Sequence, residues 1–175
     1  MTTEKITTER LFLIPFTRNV AMDVLEGNCT ELHNLGIHIA DGWPDDDVME
    51  TLPKIINNLQ LSGYPTGFES WMIIKQDDMC IIGDVGFKGI PNAQGEIDMG
   101  YGIIRQQRKK GYAFEAAKNL VDRAFSDPKV VTITARSLIS NADSAKILTK
   151  INFTEWSRSH DMIHWILDRE RFYAL

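Results

Sequence analysis

A basic turn between a predicted strand and a predicted helix is the feature that most constrains this sequence. Residues 97–104 alternate between large apolar side chains and aspartate or glycine and include β-branched residues, which predicts a strand. Apolar residues recur at helical spacing from 113 to 124, which predicts a helix with one buried face. The turn itself carries Arg108, Lys109, Lys110 and Gly111. A helix start presents unpaired N–H groups and the positive end of the helix dipole, and a glycine allows close approach. The stretch therefore predicts an anion site for phosphate, although a basic run can also be a solvated loop.

Composition and charge limit the classes of protein to which the chain can belong. Its 175 residues suffice for one domain with a proper core, and its net charge of -5 argues against general nucleic-acid binding while slightly favouring a cationic substrate such as an amine. The N-terminus lacks the apolar region of a signal peptide, and no apolar run is long enough to span a bilayer. Cys29 and Cys80 have neither disulfide-framework nor metal-site spacing. We expect one cytoplasmic domain over residues 1–175, with no metal, membrane or nucleic-acid partner.

The order of the predicted elements indicates the fold class. Pro15 favours an edge position for the first strand, Thr17 is a candidate helix N-cap, and Pro53 is expected to kink or interrupt its helix. The predicted strands are residues 10–16, 70–75, 79–88, 97–104, 129–135 and 161–167, and the predicted helices start after Thr17 or cover 32–39, 45–63, 113–124 and 141–151. The order is a strand, helices, three antiparallel strands, a helix, a strand, a helix and two final strands, of which residues 161–167 close the sheet; it indicates an α+β domain with a single sheet.

Two glycines inside the strand before the basic turn predict a ligand cleft. Gly100 and Gly102 weaken that strand unless a bulge or a ligand needs the room. If the strand at 129–135 lies beside it and diverges, backbone N–H and C=O groups are left unpaired between the two strands. A ligand with amide groups of its own could pair with them, with its phosphates at the Gly111 turn. Coenzyme A combines a diphosphate with a two-amide arm that ends in a thiol.

The same residues resemble the signatures of the GNAT family of acetyl-CoA-dependent N-acetyltransferases. The run from Arg108 to Ala113 matches the family's Arg/Gln-x-x-Gly-x-Gly/Ala signature, and the run from Asp98 to Ile103 resembles its Glu-Ile-Gly-Tyr strand. Asn141-Ala142-Asp143-Ser144 and the later Asn152-Phe153 resemble its Asn-x-x-Ser…Gly-Phe segment. Thr8-Glu9-Arg10-Leu11 resembles the opening of the branch that acetylates the N-termini of ribosomal proteins. These matches occur in the family's order along nearly the whole chain.

The resemblance implies a fold, a co-substrate and a set of binding residues. The implied fold is a mixed, mostly antiparallel twisted sheet with helices on both faces and a splayed central pair of strands. The implied co-substrate is acetyl-CoA, with no metal. Family positions that hold it correspond to Ile103, Ile104, Arg108, Lys109, Lys110, Gly111, Tyr112, Ala113 and Asn141. A backbone N–H near Ile103 or Ile104 would polarise the thioester carbonyl. Asn141 could contact the pantetheine arm, cap the following helix, or do both.

Direct transfer of acetyl to an amine requires a base, because an amine is mostly protonated at neutral pH. Glu96 and Asp98 lie on one face of their strand, so we expect Glu96, acting through water, to be the base and Asp98 to be its partner or substitute. The alternative is that both acids only keep a half-solvated strand soluble. Leu148 stands where many relatives carry a tyrosine that protonates the leaving thiolate, which makes Ser144 the candidate by analogy with the N-terminal acetylating branch. Ser144 could equally be a packing residue.

The acceptor and the assembly are less constrained than the reaction. A protein N-terminus and a small-molecule amine are both compatible with the sequence, and the resemblance allows a homodimer. The alternative from another functional class is a non-catalytic acyl-CoA-binding or sensing domain that has kept the fold and lost the chemistry. The leucine at position 148 is the sequence feature that supports this alternative.

Overall fold

The protein folds around one nine-stranded sheet, as seen in a computed structural model that describes residues 4–174. The strands are β1 (Ile6–Thr7), β2 (Leu11–Pro15), β3 (His38–Ile39), β4 (Ser70–Lys75), β5 (Cys80–Phe87), β6 (Glu96–Ile103), β7 (Thr132–Leu138), β8 (Thr154–Ser159) and β9 (Met162–Asp168). The helices are α1 (Arg18–Leu25), α2 (Thr30–Asn34), α3 (Asp46–Ser62), α4 (Tyr112–Ser126), α5 (Ala142–Lys150) and α6 (Arg169–Tyr173), with a 3₁₀ turn at Arg105–Gln107. The strand order is β1-β2-β4-β5-β6-β7-β9-β8, and β3 adds to β5.

The sheet is mixed and mostly antiparallel, as expected for an α+β domain. The two parallel pairings are β6 with β7 and the short contact of β3 with β5. The parallel pairing of β6 and β7 is possible because α4 connects them on one face of the sheet, where it packs against β2, β5 and β6. The first three helices lie on the other face, with α1 packed on α3. The predicted arrangement of helices on both faces is confirmed.

Local sequence signals place the helix ends. The Thr17 side chain accepts a hydrogen bond from the Val20 N–H at 3.2 Å, and the Asp45 carboxylate accepts one from the Val48 N–H at 3.0 Å. Gly63 ends α3 with a φ of 76°, a left-handed value that a residue without Cβ adopts freely. Pro53 does not interrupt α3, which runs continuously from residue 46 to residue 62. Burial of one apolar face of α3 opposes the cost of the missing hydrogen bond.

One predicted helix is wrong in its extent. Residues 32–39 form the end of α2, a turn through Gly36, and then β3, whose His38 lies beside Cys80 of β5. Leu32 and Ile37 are buried whereas Leu35 is 52% exposed, and Ile37 packs into the core from an extended segment rather than from a helix. A short apolar run does not by itself distinguish a helix from a strand. Here the pairing with β5 favours the extended conformation.

Candidate active site

The central strands β6 and β7 separate partway along their length. Their parallel pairing runs from Glu96 opposite Thr132 to Met99 opposite Ala135 and then stops, although β6 continues to Ile103 and β7 to Leu138. On its other side β6 remains paired with β5 as far as Ile103, and β7 remains paired with β9. The predicted splayed pair is therefore confirmed, and the gap lies at the carboxyl ends of the two strands.

Backbone alternation determines which peptide groups of β6 face this gap. The Ile104 N–H donates to the Ile82 carbonyl at 3.0 Å, so the predicted oxyanion donor at residue 104 is already paired within the sheet. Successive residues of a strand point their N–H groups to opposite neighbours, so the N–H groups of Tyr101 and Ile103 face the gap. The Ile103 carbonyl accepts a hydrogen bond from Arg108 Nε at 2.8 Å. Of the two predicted donors, geometry therefore favours Ile103.

The basic turn forms an anion-binding geometry at the end of the gap. Gly111 is the N-cap of α4 with a φ of 85° and no side-chain cap, and Lys109 is also left-handed, with a φ of 60°. Within residues 4–174, no hydrogen bond is formed by the N–H groups of Gly111, Tyr112 or Ala113. Three free donors at the positive end of a 15-residue helix are what a phosphate group needs.

Side chains from the connection between β1 and β2 hold this turn in place. The Arg10 guanidinium donates to the Lys110 carbonyl at 2.9 Å, bonds Glu115 at 2.8 Å, and lies 4.5 Å from the centre of the Tyr112 ring. Thr8 Oγ1 also donates to Glu115, at 2.5 Å. Burial alone would raise the pKa of Glu115, but the hydrogen bonds from Thr8 and Arg10 outweigh it and lower the pKa. The Thr-Glu-Arg-Leu opening identified in the sequence thus fixes the first turn of α4.

A cavity of about 350 Å³ lies over the splayed end of β6, on the sheet face that α3 covers. Gly100 and Gly102 form part of its floor: a Cβ built at Gly100 would meet no atom within 4 Å, and one built at Gly102 would meet only Asp84 Oδ1, at 4.0 Å. Neither glycine is left-handed, so neither is required by backbone conformation. The absence of side chains at these two positions creates the room that the sequence predicted.

Asp84 is the carboxylate at the floor of this cavity. It lies directly opposite Gly102 in the β5–β6 pairing, and within the described part of the chain its carboxylate has neither a hydrogen-bond donor nor an ion-pair partner. Burial, together with the nearby charges of Asp45 and Asp47, raises the pKa of Asp84 to about 7. A carboxyl group that titrates near neutral pH beside a ligand gap is suited to accept a proton.

Because the pKa of Asp84 is raised, replacing its carboxylate with a neutral group is expected to stabilise the protein, and by an amount that depends on pH. Between about pH 4 and pH 7 the folded state binds a proton that the unfolded state has lost, so the free energy of unfolding of the wild type falls as pH rises through this window. The Asp84→Asn variant does not undergo this decrease in the free energy of unfolding. We expect the melting temperature of the variant to exceed that of the wild type by roughly 5 °C at pH 8 and by much less at pH 4. Thermal melts at both pH values measure the difference. An advantage that does not change with pH would contradict the raised pKa.

The two acids that the sequence singled out occupy other places. Glu96 is exposed at the closed end of β6, bonded to Asn92 Nδ2 at 3.1 Å, and six residues, or about 20 Å, from Gly102. Asp98 is engaged by three partners: an ion pair with Lys88, a hydrogen bond from Thr134 at 3.2 Å, and Arg136 at 3.5 Å. Both cations and the Thr134 hydroxyl thus already occupy this carboxylate. The structure therefore does not bring Glu96 to the gap, and it gives Asp98 an ion-pairing role at its border.

On the opposite face of the gap, Ser144 is paired with a residue that the sequence did not single out. Ser144 lies in the first turn of α5, and its Oγ is 3.0 Å from the Tyr101 hydroxyl. Burial raises the pKa of Tyr101 to about 12, and the hydrogen bond with Ser144 opposes part of that rise. Asn141 caps α5 by accepting from the Ser144 N–H at 3.0 Å, and Leu148 is buried in the core. The hydroxyl pair connects β6 to α5 beside the splayed strands.

Sequence reasoning missed Asp84, Tyr101 and Arg10 as parts of this region. The signal for Asp84 was present, because a single acid inside the apolar strand 81–87 is costly to bury and needs a reason to be there. Tyr101 was within the quoted motif but had no partner that sequence could name. Among residues 4–174, no group of three or more His, Cys, Asp or Glu side chains is arranged to hold a metal ion. No helix in that range is long and apolar enough to cross a membrane.

Comparison with known proteins gives a family and a set of relatives. Residues 10–154 match the family model described as the acetyltransferase (GNAT) domain. An uncharacterized N-acetyltransferase, YjdG of Bacillus subtilis (strain 168), is 36% identical over 135 residues, which cover 77% of this chain and 80% of that protein.

Solved structures share the fold across nearly the whole chain. A ribosomal L7/L12 α-N-protein acetyltransferase, RimL, in complex with coenzyme A superposes with a TM-score of 0.69 at 16% identity, covering 94% of this chain and 98% of that one. A spermidine N-acetyltransferase chimera from Vibrio cholerae and hSSAT superposes with a TM-score of 0.67 at 13% identity, covering 94% and 99%.

Proposed function

Since the chain belongs to the GNAT family of N-acetyltransferases, we propose that it moves an acetyl group from acetyl-CoA directly to a primary amine of a small molecule or a peptide. The enzyme is an acyltransferase, and its family is consistent with acetyl transfer. The observation that carries the proposal is the gap between β6 and β7, which has an anion-binding turn at its end and an unpaired carboxylate at its side. Direct transfer needs both features at one place.

The binding of acetyl-CoA is assigned to residues predicted from the sequence, to which the geometry adds Tyr101. The free N–H groups at Gly111, Tyr112 and Ala113 are proposed to bind the diphosphate, with Lys109 and Lys110 supplying charge. The unpaired peptide groups of Tyr101 and Ile103 on β6 are proposed to pair with the amides of the pantetheine arm, as an added strand would. Asn141 and Arg108 are proposed to hold the sides of the β6–β7 gap in position. Asn141 does so by capping α5, and Arg108 by donating to the Ile103 carbonyl.

Asp84 is proposed as the base. As the amine nitrogen attacks the thioester carbonyl carbon, its proton passes to the Asp84 carboxylate, a C–N bond forms, and the C–S bond breaks. The Ile103 N–H is proposed to donate to the carbonyl oxygen while negative charge develops there. Glu96 and Asp98 remain alternatives for the base, but the remoteness of Glu96 and the ion pairs of Asp98 favour Asp84.

The leaving thiolate is proposed to meet the Tyr101–Ser144 hydroxyl pair. A phenol whose pKa is raised to about 12 keeps its proton at neutral pH, so Tyr101 acts as a hydrogen-bond donor to the sulfur, and Ser144 orients it. We expect Tyr101→Phe and Ser144→Ala each to lower kcat by about tenfold, and the double variant to lose little more, since the two hydroxyls form one unit. Steady-state kinetics measure the three effects, with the exposed Tyr64→Phe as control. Fully additive losses would separate the two residues.

Thiol release is the direct test of the proposed function. The protein is incubated with acetyl-CoA and, separately, with N-terminal peptides, amino acids and small amines, and free thiol is measured with the acetylated product identified by mass spectrometry. Transfer to any amine supports the proposal. Binding of acetyl-CoA by calorimetry without transfer to any amine would support the alternative of an acyl-CoA-binding or sensing domain, for which Leu148 in place of the family tyrosine is the specific observation.

A further inference from the structure

The cavity beside the splayed strands has a strongly unequal set of charges on its walls. Helix α3 contributes Asp47 and Glu50, which are three residues apart and so lie on one face of the helix. Strand β5 contributes Asp84, and Lys88 follows directly after that strand. The lining residues of β6 are Gly100, Tyr101 and Gly102, none of them charged. Lys88 is ion-paired with Asp98, outside the cavity lining. Three acids therefore face the cavity, and the charge of Lys88 is already balanced by Asp98.

None of the three acids is satisfied by the protein itself. Within residues 4–174, Asp47, Glu50 and Asp84 have no ion-pair partner and no side-chain hydrogen bond. The neighbouring Asp45 differs, because its carboxylate caps α3 through the Val48 N–H. Placing unpaired acids around a common cavity destabilises the free protein by mutual repulsion, and a bound cation would relieve it.

The three acids also lie at different depths in the cavity, so they distinguish the two ends of a bound molecule. Asp84 is half-buried at the floor, opposite Gly102, where the proposed transfer takes place. Asp47 and Glu50 are exposed on the first turns of α3, at the rim. Asp47 is close enough to raise the pKa of Asp84. A molecule whose reacting nitrogen reaches the floor therefore has its far end between two carboxylates.

We propose that the acceptor is a small linear diamine, whose reacting amine lies at Asp84 and whose second, protonated amine lies between Asp47 and Glu50. This inference rests on the proposed acetyl transfer and specifies its substrate class. A cavity of about 350 Å³ is in the range that small ligands occupy. A monoamine leaves the rim acids unpaired, and an acceptor with a carboxylate at its far end is repelled by them.

Three acceptors of equal length test the inference: 1,4-diaminobutane, 1-aminopentane and 5-aminopentanoate. They present a cation, a methyl group and an anion at the same distance from the reacting nitrogen. We expect kcat/KM with acetyl-CoA to be about tenfold higher for the diamine than for the monoamine, and lower again for the amino acid. The preference should shrink as salt is raised, because the rim acids are exposed to solvent. Equal kcat/KM for the diamine and the monoamine would overturn the inference while leaving the transferase intact.

Variants that remove the rim charges test whether Asp47 and Glu50 cause the preference for the diamine. In Asp47→Asn/Glu50→Gln the ratio of kcat/KM for the diamine to that for the monoamine should fall from about tenfold toward one. Asp46→Asn is the matched control, since Asp46 lies in the same first turn of α3 but does not line the cavity, and it should keep the ratio. A ratio unchanged in the double variant would overturn the inference. Transfer to peptides but to none of the three probes would also overturn it, whereas no transfer to any amine would remove the proposed function as well.

Discussion

Asp84→Asn is expected to lower kcat at pH 7.5 by about 10²- to 10⁴-fold while leaving the Kd of acetyl-CoA unchanged. Asparagine keeps the shape of the side chain at the floor of the cavity but cannot accept the amine proton. The residue lies on the sheet face away from α4 and α5, so the anion-binding turn at Gly111 is not disturbed. Steady-state kinetics and calorimetry on the same preparation measure the two quantities. The expected gain in thermal stability at pH 8 shows that the loss of activity is not a loss of folding.

The pH dependence of the wild type provides an independent check on this assignment. A base must be ionised to work, so kcat/KM should fall as the pH drops below the pKa of Asp84, which is about 7. Glu96→Gln is the matched control, because it removes a carboxylate from the same sheet at the closed end of β6. A large loss in Glu96→Gln together with normal turnover in Asp84→Asn would return the role of base to the strand acids.

Gly111→Glu is expected to abolish acetyl-CoA binding, raising its Kd by at least about 10²-fold. The substitution places a carboxylate at the three free N–H groups of the α4 N-terminus, where it would take the position of the phosphates and repel them. A Cβ at this residue would also lie 3.1 Å from Arg10 Nη2, and the φ of 85° is one that side chains rarely adopt. Calorimetric titration with coenzyme A measures the loss.

Gly111→Ala separates the charge from the backbone effect. Alanine introduces the same left-handed strain and the same contact with Arg10, which cost about 1 kcal/mol of stability, but it adds no charge and little bulk. We expect its Kd for coenzyme A to rise by less than about tenfold. Equal affinity for the glutamate variant and the wild type would place the diphosphate elsewhere, and equal losses in the two variants would attribute the effect to backbone strain alone.

The two faces of the β6–β7 gap give the proposed mechanism its organisation. Alternation along β6 sends Tyr101 toward α5 and leaves Gly102 beside Asp84 on the opposite face. Proton acceptance from the amine and hydrogen bonding to the thiolate are thereby kept on opposite sides of the channel. The peptide groups of Tyr101 and Ile103 lie between these two faces.

The sequence by itself determined the features that depend on consecutive residues. The left-handed Gly111, the free N–H groups after it and the apolar face of α4 all follow from a run of residues whose conformation is set by their neighbours in the chain. The same holds for the caps at Thr17 and Asp45 and for the α+β order of elements. The two glycines, Gly100 and Gly102, predicted that a bulge or a ligand needs room in their strand, whereas the splayed pair of strands was implied by the family resemblance.

Only the tertiary structure decided which side chains share the site. Glu96 and Asp98 satisfy the alternation rule, but alternation assigns a face and not a position along the strand, so it did not reveal that Glu96 lies at the closed end or that Lys88 and Arg136 engage Asp98. Asp84 lies far from the motif in sequence, and its pKa depends on burial beneath α3 and on the charges that α3 carries. The electrostatic environment of a side chain is set by what packs around it, and that packing joins segments that are remote along the chain.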